Sequence, residues 1–294
     1  MARDVFTPLL APVDEPKPGK VISTKTLFLK SILAQRRKCL LLAAVQLGIT
    51  TLFPGRLAVV PPAALALVAL AAHVVDRLTP SASPPPAHML SVVPGRATAL
   101  LPLPGRDGGG GSRGSPVVVF NLGVQFNHPR GRMAPHARDL ADKFADMNRD
   151  LLARRDELGL LSITNWTGAE AQQASGADGN TMLMSYYFRD VESIHRFAHE
   201  DMHRAAWDWY NSVKPHHIGI FHETFAVPAH GHETIYLNCR PFLLGAGLVK
   251  TQDGGETAWR NVLVSSDHVS LKSQWQRMNR DVNGVAIKGD QDQQ

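Results

Sequence analysis

The spacing of apolar and polar positions changes character three times along the chain. Residues 39–53, CLLLAAVQLGITTLF, and 57–75, LAVVPPAALALVALAAHVV, carry no charge. Pro54 and Gly55 separate the two runs, and Pro61–Pro62 permit a helix start or kink in the second. A bilayer span needs about 20 apolar residues, so the first run is short and the second adequate. The pattern predicts a helical hairpin over 39–78 that dips into or crosses a membrane, preceded by a basic segment, 1–38. Residues 79–115 follow, with PPP and GGGG inside them. Such a stretch offers too little side chain to offset its ordering entropy and is read as a tether.

After Ser115 the periodicity becomes that of a globular domain. PVVVFNLGVQF (116–126) is a run of β-branched and aromatic residues with the look of a strand buried on both faces. Residues 134–158 place Leu140, Phe144, Met147 and Leu151 at helical spacing. Two strands, 159–167 and 181–188, flank the polar loop GAEAQQASGADGN, and Asp190 is placed to cap a second helix running to about Asn211. Strands are then expected at 217–227 and 233–239. The order β-α-β-β-α-β plus one strand is an α+β, ferredoxin-like split unit over 116–240. Residues 241–294 grow polar and are expected to form a wrapping arm and a tail.

The formal net charge is +5, with a sequence pI near 9.4. Much of the positive charge brackets the apolar runs. Lys25, Lys30, Arg36, Arg37 and Lys38 lie on one side, Arg77, Arg96 and Arg106 on the other, and Arg56 at the tip. By the positive-inside rule both ends face the cytosol, as in an endoplasmic reticulum membrane. No basic face interleaved with aromatics appears, which argues against nucleic-acid binding. Cys39 and Cys239 are far apart and form neither a disulfide framework nor a CxxC pair.

The segments FNLGVQFNHPRG, YYFRDVESIHRFAHEDMHRAAWDWYN and HIGIFHETFAVPAHGHETIYLN carry a resemblance. Together with the element order, they resemble the antibiotic-biosynthesis monooxygenase branch of the dimeric α+β barrel superfamily. More narrowly, they are similar to the fungal fumagillin-pathway-type monooxygenase family, over about residues 116–240. The resemblance implies a homodimer and oxygenation of a hydrophobic secondary metabolite (a polyketide, polyene or terpenoid) with dioxygen as co-substrate and without flavin, haem or metal. In that chemistry the substrate supplies the electrons. The protein supplies a general base, oxyanion donors and a dry pocket. Isomerase, cyclase or dehydratase activity on the same fold, or a non-catalytic ligand-binding module, are the alternatives.

Candidate site residues follow from these demands. His195, His199 and His203 stand four apart. On one continuous helix Val191, Ile194, Ala198, Met202, Ala205 and Trp209 make the core face, and the three histidines drift away on its shoulder. One helix cannot place all three around one tetrahedral metal; a pair would need further ligands such as His216, His217 or His222. As base, His222 is favoured because it is in phase with Ile218 and Ile220, with His203 second. Asn121, a lone amide in an apolar strand, is the candidate oxyanion donor. Trp166, Asn165, Tyr187 and Trp207 are candidate pocket walls beside Tyr186 and Trp209, and Arg204 could pair a substrate carboxylate. Haem is the alternative cofactor. In haem-degrading relatives an asparagine, a tryptophan and a histidine act together; Asn121 matches the first, whereas Phe188 and Trp207 stand at the other two positions.

Overall fold

A computed structural model describes residues 6–16, 41–53, 55–78, 89–102, 115–167, 180–253 and 256–287. The chain divides into two compact units, Thr24–Leu90 and the remainder, Met1–Ser23 with Ser91–Gln294. The basic cluster Arg36–Lys38, most of the Pro/Gly-rich stretch and the polar tail lie outside the described residues.

The smaller unit holds helix α1, residues 41–52, a 3-10 turn Gly55–Val59 and α2, Val60–Leu78. Leucines and valines are exposed along both helices, among them Leu41, Leu42, Leu47, Leu65, Leu67 and Leu70. The hydroxyls of Thr50 and Thr51 bond back to the carbonyls of Gln46, Leu47 and Gly48, so they need no water. Among the described residues no helix is long and apolar enough to cross a membrane. The expected crossing is not shown by the described residues.

The larger unit is α+β with antiparallel sheets. Its strands are β1 (Val93–Ala99), β2 (Val117–Phe126), β3 (Leu160–Thr167), β4 (Thr181–Phe188), β5 (Ile218–Val227), β6 (Tyr236–Cys239), β7 (Leu248–Asp253), β8 (Glu256–Asn261) and β9 (Leu263–Ser265). Its helices are α3 (Ala137–Ala153), α4 (Val191–Ala198), α5 (Asp201–Val213) and α6 (Gln274–Arg277). The four-stranded sheet has the order β3-β4-β2-β5, the split arrangement expected from β-α-β-β-α-β. Even-numbered residues of β2, Val118 to Phe126, pack with Leu140, Phe144, Met147 and Leu151 of α3 and with Ile194 and Phe197 of α4. Strand alternation makes this the helix-covered face.

The opposite face is partly covered by a second sheet, β6-β1-β9, whose core joins Val117 and Leu161 to Val93, Tyr236, Leu244 and Val262. Two expectations change here. Residues 93–99 lie in the stretch read as a tether, yet they are the central strand of this sheet. A bulge at Pro94–Gly95, with Gly95 at positive φ, absorbs the breaker pair. Residues 241–287, read as an arm and tail, supply β7 to β9 and α6; β6 joins this sheet and not the four-stranded one. The segment 6–16 bridges to β9 at Pro8↔Val264 and to β8 of the two-stranded β7-β8 sheet at Val13↔Trp259. Buried Arg155 ties the layers together. Its guanidinium donates to the Leu161 carbonyl at 2.5 Å and lies 5.3 Å from the centre of the Trp259 ring, and burial pushes its pKa down to about 10.

Candidate functional site

The predicted second helix is two. α4 ends at Ala198, His199 caps it, and α5 restarts at Asp201 after an extended Glu200. The stripe of three histidines dissolves accordingly. His195 is exposed, and its carbonyl accepts from Nδ1 of His199 at 2.7 Å. The break also rotates the inward face of α5: Met202 and Ala205 are exposed, whereas His203, Ala206 and Tyr210 turn inward. The core face expected for a continuous helix is corrected in this respect. Among the described residues no three of His, Cys, Asp and Glu form a group able to hold a metal ion.

His203 sits half-buried, edge-on to Phe197 with ring centres 5.4 Å apart. Burial pushes its pKa below the ordinary imidazole value. A hydrogen bond to the backbone of Ala198 opposes that shift, and the nearby His222 and His199 add to it. His222, on edge strand β5 opposite Leu122, is exposed and lies 5.5 Å from the Phe120 ring on the same helix-covered face. The sheet and α5 thus bring two imidazoles to one end of the aromatic core formed by Phe120, Tyr186, Phe188 and Phe197. An imidazole kept neutral by an apolar surround, beside a second one open to solvent, is suited to taking a proton and passing it outward.

The other predicted residues divide. Trp207 is exposed on the outer shoulder of α5, stacked on Tyr210 with ring centres 6.0 Å apart, and Arg204 is exposed beside it. Asn121, by contrast, points to the face away from the helices, where Ser185 Oγ donates to its Oδ1 at 2.8 Å. It cannot share a substrate with His222, since adjacent residues of a strand address opposite faces. Tyr187 is on Asn121's side, packed against the second sheet, and burial raises its pKa. Trp166 is there too, edge-on to Phe242 at 6.5 Å. Asn165 is exposed on β3, at the far edge of the sheet from β5. The haem-degrading pattern does not reassemble: Asn121 faces away, Phe188 is fully buried in the core and Trp207 is outside.

Sequence reasoning missed Phe120 and Phe197 as the surround of the imidazoles. It also missed a polar row across the open face, Thr164–Ser185–Asn121–Glu223, set by register. Period-two alternation names the face of each residue, but only strand pairing aligns the four. Beside the row, Gly123 leaves room for the Phe221 ring, which a Cβ there would strike.

The model of the family described as monooxygenase af470-like matches residues 117–244, the span of the four-stranded sheet and its helices. Monooxygenase af470 of Aspergillus fumigatus is 40% identical over 279 residues, covering 93% of this chain and 98% of its own. Among solved structures, an aldoxime dehydratase in complex with butyraldoxime is 13% identical with a TM-score of 0.38, over 51% of this chain and 39% of that one. A putative antibiotic biosynthesis monooxygenase from Deinococcus radiodurans is 14% identical with a TM-score of 0.24, over 36% of this chain and 89% of that one. The identity to the Aspergillus protein, running nearly end to end, is what assigns the chain: it belongs to the monooxygenase af470-like family of fungal monooxygenases and is an enzyme with monooxygenase activity.

Proposed function

We propose that the protein is a membrane-tethered, cofactor-independent monooxygenase of a fumagillin-type pathway, oxidising a hydrophobic polyketide, polyene or terpenoid with dioxygen. The observation that carries this reading is the pair His203 and His222 at the end of an aromatic core, with His203 held toward its neutral form. His203 is the general base and holds the proton for return to oxygen, with His222 beside it at the solvent edge. His203 takes a proton from an activated substrate CH2; the resulting carbanion gives its electrons to dioxygen and a C–O bond forms. Protonation of the distal oxygen by the imidazolium yields a hydroperoxide, which eliminates water, the second C–H proton leaving together with the distal hydroxyl, to give a carbonyl. The balance is one CH2 and one O2 giving one C=O and one H2O, with all four electrons drawn from carbon. Phe120 and Phe197 keep water from the carbanion.

The exposed apolar helices of residues 41–78 support a tether, with the catalytic unit on the cytosolic side of the endoplasmic reticulum membrane. The open face of the four-stranded sheet, with Phe221 and Phe225 exposed, supports a homodimer.

Oxygen uptake and product analysis on the purified chain, together with its visible spectrum and metal content, test the reading. Uptake stoichiometric with carbonyl product, with protein absorbance alone, is expected. His203→Ala should cost about 10²–10⁴-fold in kcat. Because the neutral imidazole is the active form and its pKa is depressed, kcat/KM should be flat at neutral pH and fall only as pH drops below the ordinary imidazole range. A flavin or Soret band, or full activity in His203→Ala, would overturn it.

A further inference from the structure

We infer that Arg154 is a positioning residue for His203, acting through Glu200. The catalytic consequence rests on His203 being the base; the structural claim does not.

The break between α4 and α5 is what turns His203 inward, and Glu200 is the residue that makes it. Its backbone is extended, at φ −64° and ψ 145°, and its side chain forms no cap hydrogen bond to α5. Glutamate is a poor N-cap, so α5's own first turn does not account for the corner. The carboxylate goes elsewhere: Arg154 Nη1 donates to Oε2 at 2.7 Å and Nη2 to Oε1 at 3.1 Å, a two-pronged pair. Arg154 is itself held on several sides. Its backbone N–H donates to the Asp150 carbonyl at 2.9 Å, closing α3, and Nη1 also reaches Asp150 Oδ2 at 3.3 Å. Nε and Nη2 donate to Glu157 at 3.0 and 2.6 Å. Hydrogen bonding from Arg154 holds the Glu200 and Glu157 carboxyls below their ordinary range, so the cluster is charged at neutral pH.

Three residues upstream on α3, Leu151 is fully buried in the core, so the guanidinium projects from a rigid base. His203 is three residues beyond Glu200, less than one turn away. A helix turns about 100° per residue, so a slip of one residue at the corner carries the imidazole off Phe197 and away from His222. The fork geometry matters as much as the charge, because one lysine ammonium cannot meet both carboxylate oxygens in plane.

The full-length chain tests this by NMR of the His203 ring in the wild type, Arg154→Ala, Arg154→Lys and Glu200→Gln. The wild-type Hε1 signal should show the ring-current shift of the Phe197 contact and a depressed titration midpoint. Arg154→Ala and Glu200→Gln should both move the signal and the midpoint toward those of an exposed histidine. Turnover should fall about tenfold to 10²-fold in kcat with KM little changed, and Arg154→Lys should restore only part. Glu200→Gln keeps shape and volume, so it reports even if Arg154→Ala folds poorly. An unmoved His203 signal in both would overturn the inference. Full activity in His203→Ala, with the signal still moving in Arg154→Ala, would sink the base assignment and leave the clamp standing.

Discussion

Tyr186 shows how a single residue organises the floor beneath the imidazoles. Its hydroxyl, fully buried, donates to Asn148 Oδ1 at 2.7 Å, and burial raises its pKa far above the ordinary phenol value. Asn148, also buried, turns its Nδ2 to the Met184 sulfur at 3.4 Å. Tyr186→Phe would leave the Asn148 carbonyl oxygen without its donor inside the core, at a cost of about 1–3 kcal/mol. Urea unfolding should show that loss as a lower midpoint with unchanged slope. The packed rings Phe120, Phe188 and Phe197 remain, so the His203 NMR signal should barely move. At this scale the sequence offered His203 and His222 as candidates through residue type and strand phase. It placed Asn121 with them because a one-dimensional pattern does not say which face of a doubly buried strand meets the helices: valines, phenylalanine and glycine fill both sides of β2.

Elements here are set by short local signals whose consequences reach further. Asp190 caps α4, accepting from Ser193 N at 2.7 Å, and Ser193 is wholly buried beneath the turn that joins α3 to β3. Gly159 in that turn has φ +67°, and a Cβ on it would strike the Ser193 hydroxyl. Asp190→Ala should cost about 1 kcal/mol, as lost caps do. Gly159→Ala should cost more, since it adds a clash to a left-handed backbone. Thermal denaturation of the two variants should rank them in that order. The cap at Asp190 was legible in sequence; the break at Glu200 was not. No glycine or proline marks it, and the interaction that favours it comes from Arg154, 46 residues away. Hydrophobic periodicity read across 190–211 therefore kept one phase where the chain uses two.

In the whole molecule, the helices of residues 41–78 are an excursion from one fold. The segments 6–16 and 93–99 flank them in sequence, and both pair with β9. Their exposed leucines predict flotation of the full-length chain with neutral phospholipid vesicles, unaffected by salt because the contact is apolar. Replacing Leu42, Leu65 and Leu67 each by Asp should cut the floating fraction by about 10²-fold or more, since a carboxylate is costly at bilayer depth. Flotation of that variant at wild-type level would remove the tether from the functional reading.

What the sequence alone determined is the order of strands and helices between residues 117 and 227, short of the break at Glu200. β-branched runs, helical spacing and the Asp190 cap are local, and the split β-α-β order follows from them. What only the tertiary structure decided is everything that depends on pairing across distance. That includes β1, recruited from a proline- and glycine-rich stretch by partners more than 130 residues away. It includes the polar row of the open face, aligned by register, and the corner that aims His203, held by an ion pair between two helices. A segment's own residues state how it prefers to fold. They do not state which neighbour will satisfy its backbone and charges, and at this site the neighbour sets the geometry.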